Sequence, residues 1–203
     1  MELHFVSSNS HKYEEFRRML SDLLVLRFVK VDYLEPQGED LEGIVVTSAK
    51  WLSPYLRRPF FMEDSGLFID ALGGFPGPFS SYVFRKIGNQ GILRLMEGVK
   101  ERGASFISLI ALNIHGRIEV FEGRVRGSIA EEARGGGWGF DPIFIPEGSG
   151  GLTYGELGER KDLFSHRGAS CRRLREFLER NLQLLGPAIG PSHPGEGARG
   201  PHR

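Results

Sequence analysis

The stretch FFMEDSGLFI, residues 60–69, has two apolar runs around a polar centre and indicates a buried β-strand that is interrupted. Two adjacent carboxylates, Glu63 and Asp64, follow the first apolar run. Carboxylates are costly to remove from water unless positive charge meets them. Because adjacent strand residues point to opposite faces, the two acids cannot both face the same core. The stretch therefore predicts a strand with positive partners for its carboxylates elsewhere in the site.

The elements around this strand predict a mixed α/β sheet flanked by helices. In chain order we expect a strand at 3–8, a helix beginning after the caps Asn9 and Ser10, a strand at 25–34, a helix at 39–56 and the strand at 58–69. A loop at 73–79 and a helix at 89–99 follow, and then a hairpin of 104–114 and 117–127 around His115-Gly116. The chain continues with a loop at 135–142, a short strand at 143–146 and a final helix from Ser165 to about Leu185. The order β-α-β-α-β before the hairpin indicates a sheet that is not purely parallel. We expect one domain over 1–185 and a disordered Pro/Gly-rich tail at 186–203.

Composition excludes several classes of function. The 203 residues carry 26 Lys+Arg and 26 Asp+Glu. Because these charges balance, the chain lacks the overall positive charge that would predict binding to nucleic acid or to an anionic membrane. The single cysteine, Cys171, excludes an internal disulfide and a Cys-based zinc site. The longest apolar stretch, 106–114, is too short to span a bilayer, and the first residues lack the pattern of a signal peptide. We expect a cytoplasmic protein in a reducing compartment.

Three polar segments are candidates for phosphate and metal binding. SSNSHK, 7–12, joins the first strand to the first helix, where free backbone N–H groups and Lys12 suit a phosphate, although many such turns bind nothing. Asp64 is expected where its strand leaves the sheet, and it could form an Asx-turn or bind a hard cation such as Mg²⁺. In LEPQGED, 34–40, any of Glu35, Glu39 and Asp40 could add a metal ligand, or all could be solvated loop acids.

Two further segments are candidates for binding a base, an anion or another polar ligand. GGGWGFDP, 135–142, offers Trp138, Phe140 and Asp141, either to stack on a base beside a carboxylate or to plug the end of the core. In KDLFSHRGAS, 161–170, His166 and Arg167 lie in the first turn of the last helix, with Lys161 just ahead. Basic groups are unfavourable at a positive helix end unless an anion or polar ligand is shared. Together the candidate groups fit a nucleoside triphosphate with Mg²⁺.

At these positions the sequence resembles the inosine triphosphate pyrophosphatase family over residues 1 to about 185. The motifs occur in the family's order: Ser7-Ser8-Asn9-Ser10-His11-Lys12, Glu63-Asp64-Ser65-Gly66-Leu67, GGFPGPFSSYV at 73–83, GWGFDPIFIP at 137–146 and SHRGAS at 165–170. The resemblance implies hydrolysis of non-standard purine nucleoside triphosphates such as ITP, dITP and XTP. It also implies an elongated fold of two lobes with a central cleft, Mg²⁺ as cofactor and a homodimer.

The resemblance also implies a role for each matched residue. Asp64 is the catalytic carboxylate, Glu35 and Asp64 are the Mg²⁺ ligands, and the substrate-binding residues are Ser7, Ser8, Asn9, Ser10, His11, Lys12, Ser65, Trp138, Gly139, Phe140, Asp141, Lys161, His166 and Arg167. The turn and Lys12 hold the triphosphate, and Ser65 contacts the substrate. Trp138 and Asp141 line the base pocket, and Lys161, His166 and Arg167 complete the recognition of base and phosphate. One departure stands out: many members carry Lys 16 positions before the catalytic Asp, where this chain has Ser48, with Lys50 two residues further on.

Two rival functions stay open on the sequence. The related Maf-like family hydrolyses other nucleoside triphosphates, but SHRGAS and GWGFDP argue against it. A protein that binds purine nucleotides without hydrolysing them is the alternative that Ser48 keeps open. The sequence also does not decide between hypoxanthine and xanthine as the preferred base, the sugar, or the number of metal ions.

Overall fold

The structure, a computed structural model, describes residues 1–185, so the tail expected at 186–203 lies outside the described residues. Its strands are β1 (Glu2–Val6), β2 (Val25–Val29), β3 (Phe60–Ile69), β4 (Pro76–Gly77), β5 (Gly103–Ile114), β6 (Arg117–Ile129) and β7 (Phe144–Pro146). Its α-helices are α1 (Ser10–Leu20), α2 (Leu41–Leu52), α3 (Ser80–Leu95), α4 (Tyr154–Leu157), α5 (Lys161–Phe164) and α6 (His166–Arg180). Short 3₁₀ turns lie at Asp70–Leu72, Asp141–Ile143, Gly158–Arg160 and Leu182–Leu185.

The strands form one mixed sheet, as the sequence predicts. Its order is β2-β1-β3-β5-β6-β7, and β4 pairs with β3 beside this path. Strand β1 is parallel to both of its neighbours, whereas every pairing from β3 onward is antiparallel. The parallel pairs use the helices α1 and α2 as crossovers, and the antiparallel pair β5–β6 closes through the predicted turn at His115-Gly116. The prediction of a mixed α/β fold is confirmed.

Helices cover both faces of the sheet, and the alternation of β3 assigns its side chains to them. Phe61 belongs to the core under α1 and α6, while Phe60 and Met62 belong to the core under α2. By the same alternation Glu63 points to the α1/α6 face and Asp64 to the α2 face. The predicted separation of the two acids is therefore present in the structure.

The expectation that β3 is interrupted, and that Asp64 lies where the strand leaves the sheet, is wrong. Strand β3 pairs with β5 along its whole length. The change occurs on its other edge: β1 pairs only with residues 60–62, and β4 only with 67–68. Between them, residues 63–66 have no strand partner on that edge among the described residues. The polar centre therefore lies at a gap in the sheet, not at the end of a strand.

Other predicted bounds change for local reasons. Strand β2 stops at Val29 instead of residue 34 because β1, its partner, ends there in register. The segment 73–79, predicted as loop, contains β4, and α2 is shorter at both ends than the predicted 39–56. The helix predicted at 89–99 is the second half of α3, which begins at Ser80 and kinks at Gly88, whose φ is 60°. The last helix ends at Arg180 and continues only as a 3₁₀ turn.

Close packing of α6 on β6 places the start of α6 at the gap in the sheet. A Cβ atom at Gly123 on β6 would overlap the carbonyl oxygen of His166 and the amide nitrogen of Ser170. Only glycine therefore permits this approach of helix to strand. Among residues 1–185 we find no helix with both the length and the apolarity that crossing a bilayer requires.

Gly123→Ala is expected to lower the free energy of unfolding by about 1–3 kcal/mol, the usual effect of an added methyl group without space. Denaturant unfolding measures the change. Gly38→Ala is the matched control, because a Cβ at Gly38 would meet nothing within 4 Å and should not destabilise the fold. Equal midpoints for the two variants would contradict the close packing of α6.

Candidate active site

One cavity of about 720 Å³ opens at the gap in the sheet. Its walls come from the turn after β1, the loop after β2, the centre of β3, the start of α3, the loop before β7 and the start of α6. Every residue predicted for the site lies in these walls: Ser7, Ser8, Asn9, Ser10, His11, Lys12, Glu35, Asp64, Ser65, Trp138, Gly139, Phe140, Asp141, Lys161, His166 and Arg167. The structure thus brings the predicted set together, while the role of each residue remains a prediction.

Side chains of the turn after β1 mostly organise the turn itself. Asn9 caps α1, and its Oδ1 accepts hydrogen bonds from the backbone N–H groups of His11 (2.9 Å) and Lys12 (3.3 Å). Ser7 Oγ accepts from the Asn9 N–H at 3.0 Å. The Lys12 amine reaches back to β3 and donates to the Glu63 carbonyl oxygen at 3.2 Å. The turn therefore fixes Lys12 against the polar centre of β3.

Glu63 is the acid that the protein itself neutralises. Its carboxylate is fully buried, with Lys12 Nζ 2.9 Å from Oε2 and an Arg167 nitrogen 3.3 Å from Oε1. The Lys12 contact is an ion pair without hydrogen-bond alignment, whereas Ser108 Oγ donates a hydrogen bond to Oε1 at 2.7 Å. Burial raises the pKa of Glu63, but the charges of Arg167 and Lys12 outweigh it and hold the pKa below its ordinary value. Glu63 is therefore a structural anion.

Asp64 faces the cavity with weaker compensation. Its Oδ1 accepts a hydrogen bond from the Ser65 N–H at 2.8 Å and lies 3.9 Å from Lys12 Nζ. Burial raises the pKa of Asp64 to about 6; Lys12 opposes the shift, and the neighbouring charges of Glu63 and Glu35 add to it. A further cation bound next to Asp64 would therefore stabilise its ionised form.

The acid side of the cavity has the ligand chemistry that Mg²⁺ prefers. Glu35 lies in the cavity wall, and its charge acts on Asp64. Residues 1–185 hold no preformed group of three or more His, Cys, Asp or Glu side chains that could bind a metal ion. Mg²⁺ commonly uses one or two carboxylates together with substrate phosphates, so Glu35 and Asp64 fit the ion as part of a substrate complex. Glu39 and Asp40 lie outside the cavity wall, and Asp40 caps α2.

The loop before β7 is expected either to stack on a base or to close the end of the core, and its two aromatic residues differ in their surroundings. Phe140 is buried and packs edge-on against Phe84 at 5.3 Å, so it closes the end of the core. Trp138 is half-buried in the cavity wall, with the His11 ring stacked 5.6 Å from its own. Asp141 Oδ2 accepts from the Trp138 N–H at 3.2 Å and fixes the loop. Of the two aromatic rings in this loop, Trp138 is the one left outside the core, and Lys161 Nζ and Arg167 Cζ each lie 5.2 Å from the centre of its ring.

The start of α6 supplies an uncharged polar group. Ser165 caps the helix, because its Oγ accepts a hydrogen bond from the Gly168 N–H at 2.9 Å. The buried His166 ring lies flat on Phe106, with centroids 4.1 Å apart, and neither ring nitrogen has a hydrogen-bond partner among the described residues. Burial, followed by the charges of Arg167 and Lys161, lowers the pKa of His166 well below its ordinary value. A neutral imidazole with free nitrogens therefore borders the cavity.

Glu15 is the residue that sequence reasoning missed. Its carboxylate pairs with Lys161 Nζ at 2.8 Å and with an Arg167 nitrogen, and it accepts a hydrogen bond from Trp138 Nε1 at 3.1 Å. Burial raises the pKa of Glu15, but Arg167 and Lys161 outweigh it and hold the pKa well below its ordinary value. The available signal was its helical spacing of three residues from Lys12.

This arrangement corrects the explanation of the basic residues at the start of α6. A ligand anion is not required to account for Arg167, because Glu15 and Glu63 already neutralise it. Lys161 is likewise paired, with Glu15 and with Asp141, each at 2.8 Å. The protein's own acids fix both cations in place.

Glu15→Gln is expected to lower the free energy of unfolding by about 3 kcal/mol at pH 7, because it leaves two buried cations short of an anion. A depressed native pKa contributes stability above the unfolded value of about 4.3 and loses it as the pH falls. The difference from the unmodified protein should therefore narrow below about pH 4. Urea unfolding of both proteins, at pH 7 and below about pH 4, measures the difference in the free energy of unfolding.

Glu14→Gln is the matched control for this variant. Glu14 is the neighbouring residue and is exposed, and among residues 1–185 it pairs only with the exposed Arg17 on its own helix. Its replacement should change stability by less than about 0.5 kcal/mol. If the two variants unfold alike, Glu15 does not hold the buried cations.

Comparison with known proteins assigns the family. The sequence matches the model of the Ham1 family over residues 3–177. A dITP/XTP pyrophosphatase of Korarchaeum cryptofilum is 74% identical over 176 residues, covering 87% of this chain and 95% of the relative. A dITP/XTP pyrophosphatase of Thermococcus kodakarensis is 48% identical over 186 residues, covering 90% and 100%. A HAM1 protein from Coxiella burnetii has a similar structure, with a TM-score of 0.76 and 31% identity, covering 89% and 99% of the two chains.

The family match and these relatives cover nearly all of the described residues. They confirm the family resemblance that the five sequence motifs indicate. This chain belongs to the Ham1 family.

Proposed function

We propose that this chain hydrolyses non-standard purine nucleoside triphosphates, such as dITP, ITP and XTP, to the nucleoside monophosphate and pyrophosphate. The observation that carries the proposal is a single cavity with an acid side at Asp64 and Glu35 and an aromatic, hydrogen-bonding side at Trp138 and His166. The activity named for the two relatives supports the same substrate class.

Asp64 is proposed to act on the attacking water. The water oxygen forms a bond to the α-phosphorus while the bond from this phosphorus to the bridging oxygen breaks, and pyrophosphate leaves. Asp64 orients the water and accepts its proton, a role suited to a carboxylate that faces the cavity. Mg²⁺ held by Glu35 and Asp64 would supply positive charge to the phosphates.

Base selection is proposed to rest on groups that the fold holds rigidly. Trp138 offers a ring for stacking, and the free nitrogens of His166 offer a donor or an acceptor at the edge of the base. Lys161, fixed between two acids, adds a donor in the same wall. A 6-oxo purine accepts hydrogen bonds where adenine presents an amine. A site built on hydrogen-bond complementarity discriminates far more strongly than an apolar pocket.

Two properties of the protein in the cell are part of the proposal. Homodimer formation is supported by the family resemblance. A cytoplasmic location is supported by the single, buried Cys171, which makes no disulfide.

A pyrophosphate-release assay tests the activity with Mg²⁺ and a panel of dITP, ITP, XTP, ATP and GTP. We expect kcat/KM for the best of dITP, ITP and XTP to exceed that for ATP by at least about 100-fold. Asp64→Asn should lower kcat by a factor of about 100 or more, because the group that acts on the water loses its charge.

Asp70→Asn is the control, because Asp70 is exposed, pairs with Arg126 and lies outside the cavity wall. It should leave kcat/KM unchanged within about twofold. Binding of ITP without release of pyrophosphate would instead identify a nucleotide-binding protein, and equal rates on ATP would refute the selectivity.

A further inference from the structure

Four Lys and Arg side chains line the cavity, and the protein's own acids engage three of them. Lys12 pairs with Glu63, while Lys161 and Arg167 pair with buried acids of α1 and of the cavity wall. The fourth is Arg85 on α3, and no carboxylate among residues 1–185 lies within ion-pair distance of it. Arg85 is therefore the cavity cation with charge to offer a ligand.

The second helix cannot supply this charge. Ser48, which stands where many family members have Lys, is buried, and its Oγ donates a hydrogen bond to the Ile44 carbonyl oxygen at 2.9 Å. Lys50 is exposed and, like Ser48, lies outside the cavity wall. A triphosphate carries about three to four negative charges, so another element must provide a cation.

The start of α3 is fixed to β3 next to the gap in the sheet. Ser80 Oγ accepts from the Leu67 N–H at 2.8 Å and donates to the Gly77 carbonyl oxygen at 2.7 Å, which ties the helix to β3. One turn further on, Arg85 donates to Ser81 Oγ at 2.6 Å, and both side chains are exposed in the cavity wall. The guanidinium is thus oriented by a neutral partner and keeps its charge available.

We propose that Arg85 binds the triphosphate of the substrate, in place of the lysine that α2 lacks. The proposal rests on the proposed function, since it names a further binding residue for the same substrate. The planar guanidinium of Arg85 can form two parallel hydrogen bonds to phosphate oxygens, which the ammonium group of a lysine cannot do. Arg85 therefore acts in substrate binding, whereas Asp64 acts on the attacking water.

Calorimetric titration of the whole protein with inorganic tripolyphosphate, in the presence of Mg²⁺, tests this binding without turnover. Arg85→Gln should weaken tripolyphosphate binding roughly tenfold to hundredfold, the effect of losing a charge-assisted hydrogen bond. Arg85→Lys should recover part of the loss, because the charge returns without the planar fork. Lys86→Gln is the matched control: Lys86 neighbours Arg85 on α3, contacts the Tyr82 ring and lies outside the cavity wall.

The same variants separate this proposal from the proposed function. With dITP, Arg85→Gln should raise KM by a similar factor and change kcat less than KM, which a general loss of folding would not produce. Weakened tripolyphosphate binding supports the phosphate role even if the unmodified protein releases no pyrophosphate, and that second result would refute only the proposed function. Equal tripolyphosphate binding by Arg85→Gln and Lys86→Gln, or no binding by the unmodified protein, overturns the role of Arg85.

Discussion

The contacts of Arg167 with Glu15 and Glu63 hold the site together. They join α6 to α1 and to the centre of β3, three elements that the chain brings together from distant positions. The Arg167 side chain is 1% exposed. Charges buried to this degree are tolerated only when their partners and hydrogen bonds are in place. The helices are therefore confined to one arrangement relative to the strand, and His166, the preceding residue of α6, is confined with them.

This arrangement divides the charged residues into two groups. Lys12, Lys161 and Arg167 are engaged by acids of the protein, and they fix the walls of the cavity. Asp64 and Arg85 remain for ligands, one short of positive charge and the other free of a carboxylate partner among the described residues. Their complementary charges suit a substrate that arrives with both phosphates and a metal ion. The neutral His166 ring, which we propose contacts the base, adds a polar group without adding charge.

The sequence predicted the parts of this site that depend on local pattern. Two apolar runs identified β3, and the alternation of side chains between the two faces of a strand separated Glu63 from Asp64. The motif order brought Trp138 and His166 into the same predicted site. The interruption of β3 was misjudged because it depends on the lengths of its neighbours: β1 ends in register with Met62, and the local sequence of β3 carries no trace of this. Glu15 was missed because its partners lie more than 100 residues away, so the helix pattern alone presents it as one more charged residue.

The central claim is that Glu15 and Arg167 act as a unit in holding the site. A double-mutant cycle measures this directly, with Glu15→Gln, Arg167→Gln and the double variant compared by urea unfolding at pH 7. The account predicts a coupling energy of about 1.5–3 kcal/mol, the upper part of the range for contacting residues. A coupling energy below about 0.5 kcal/mol, as found for distant and independent sites, would contradict it.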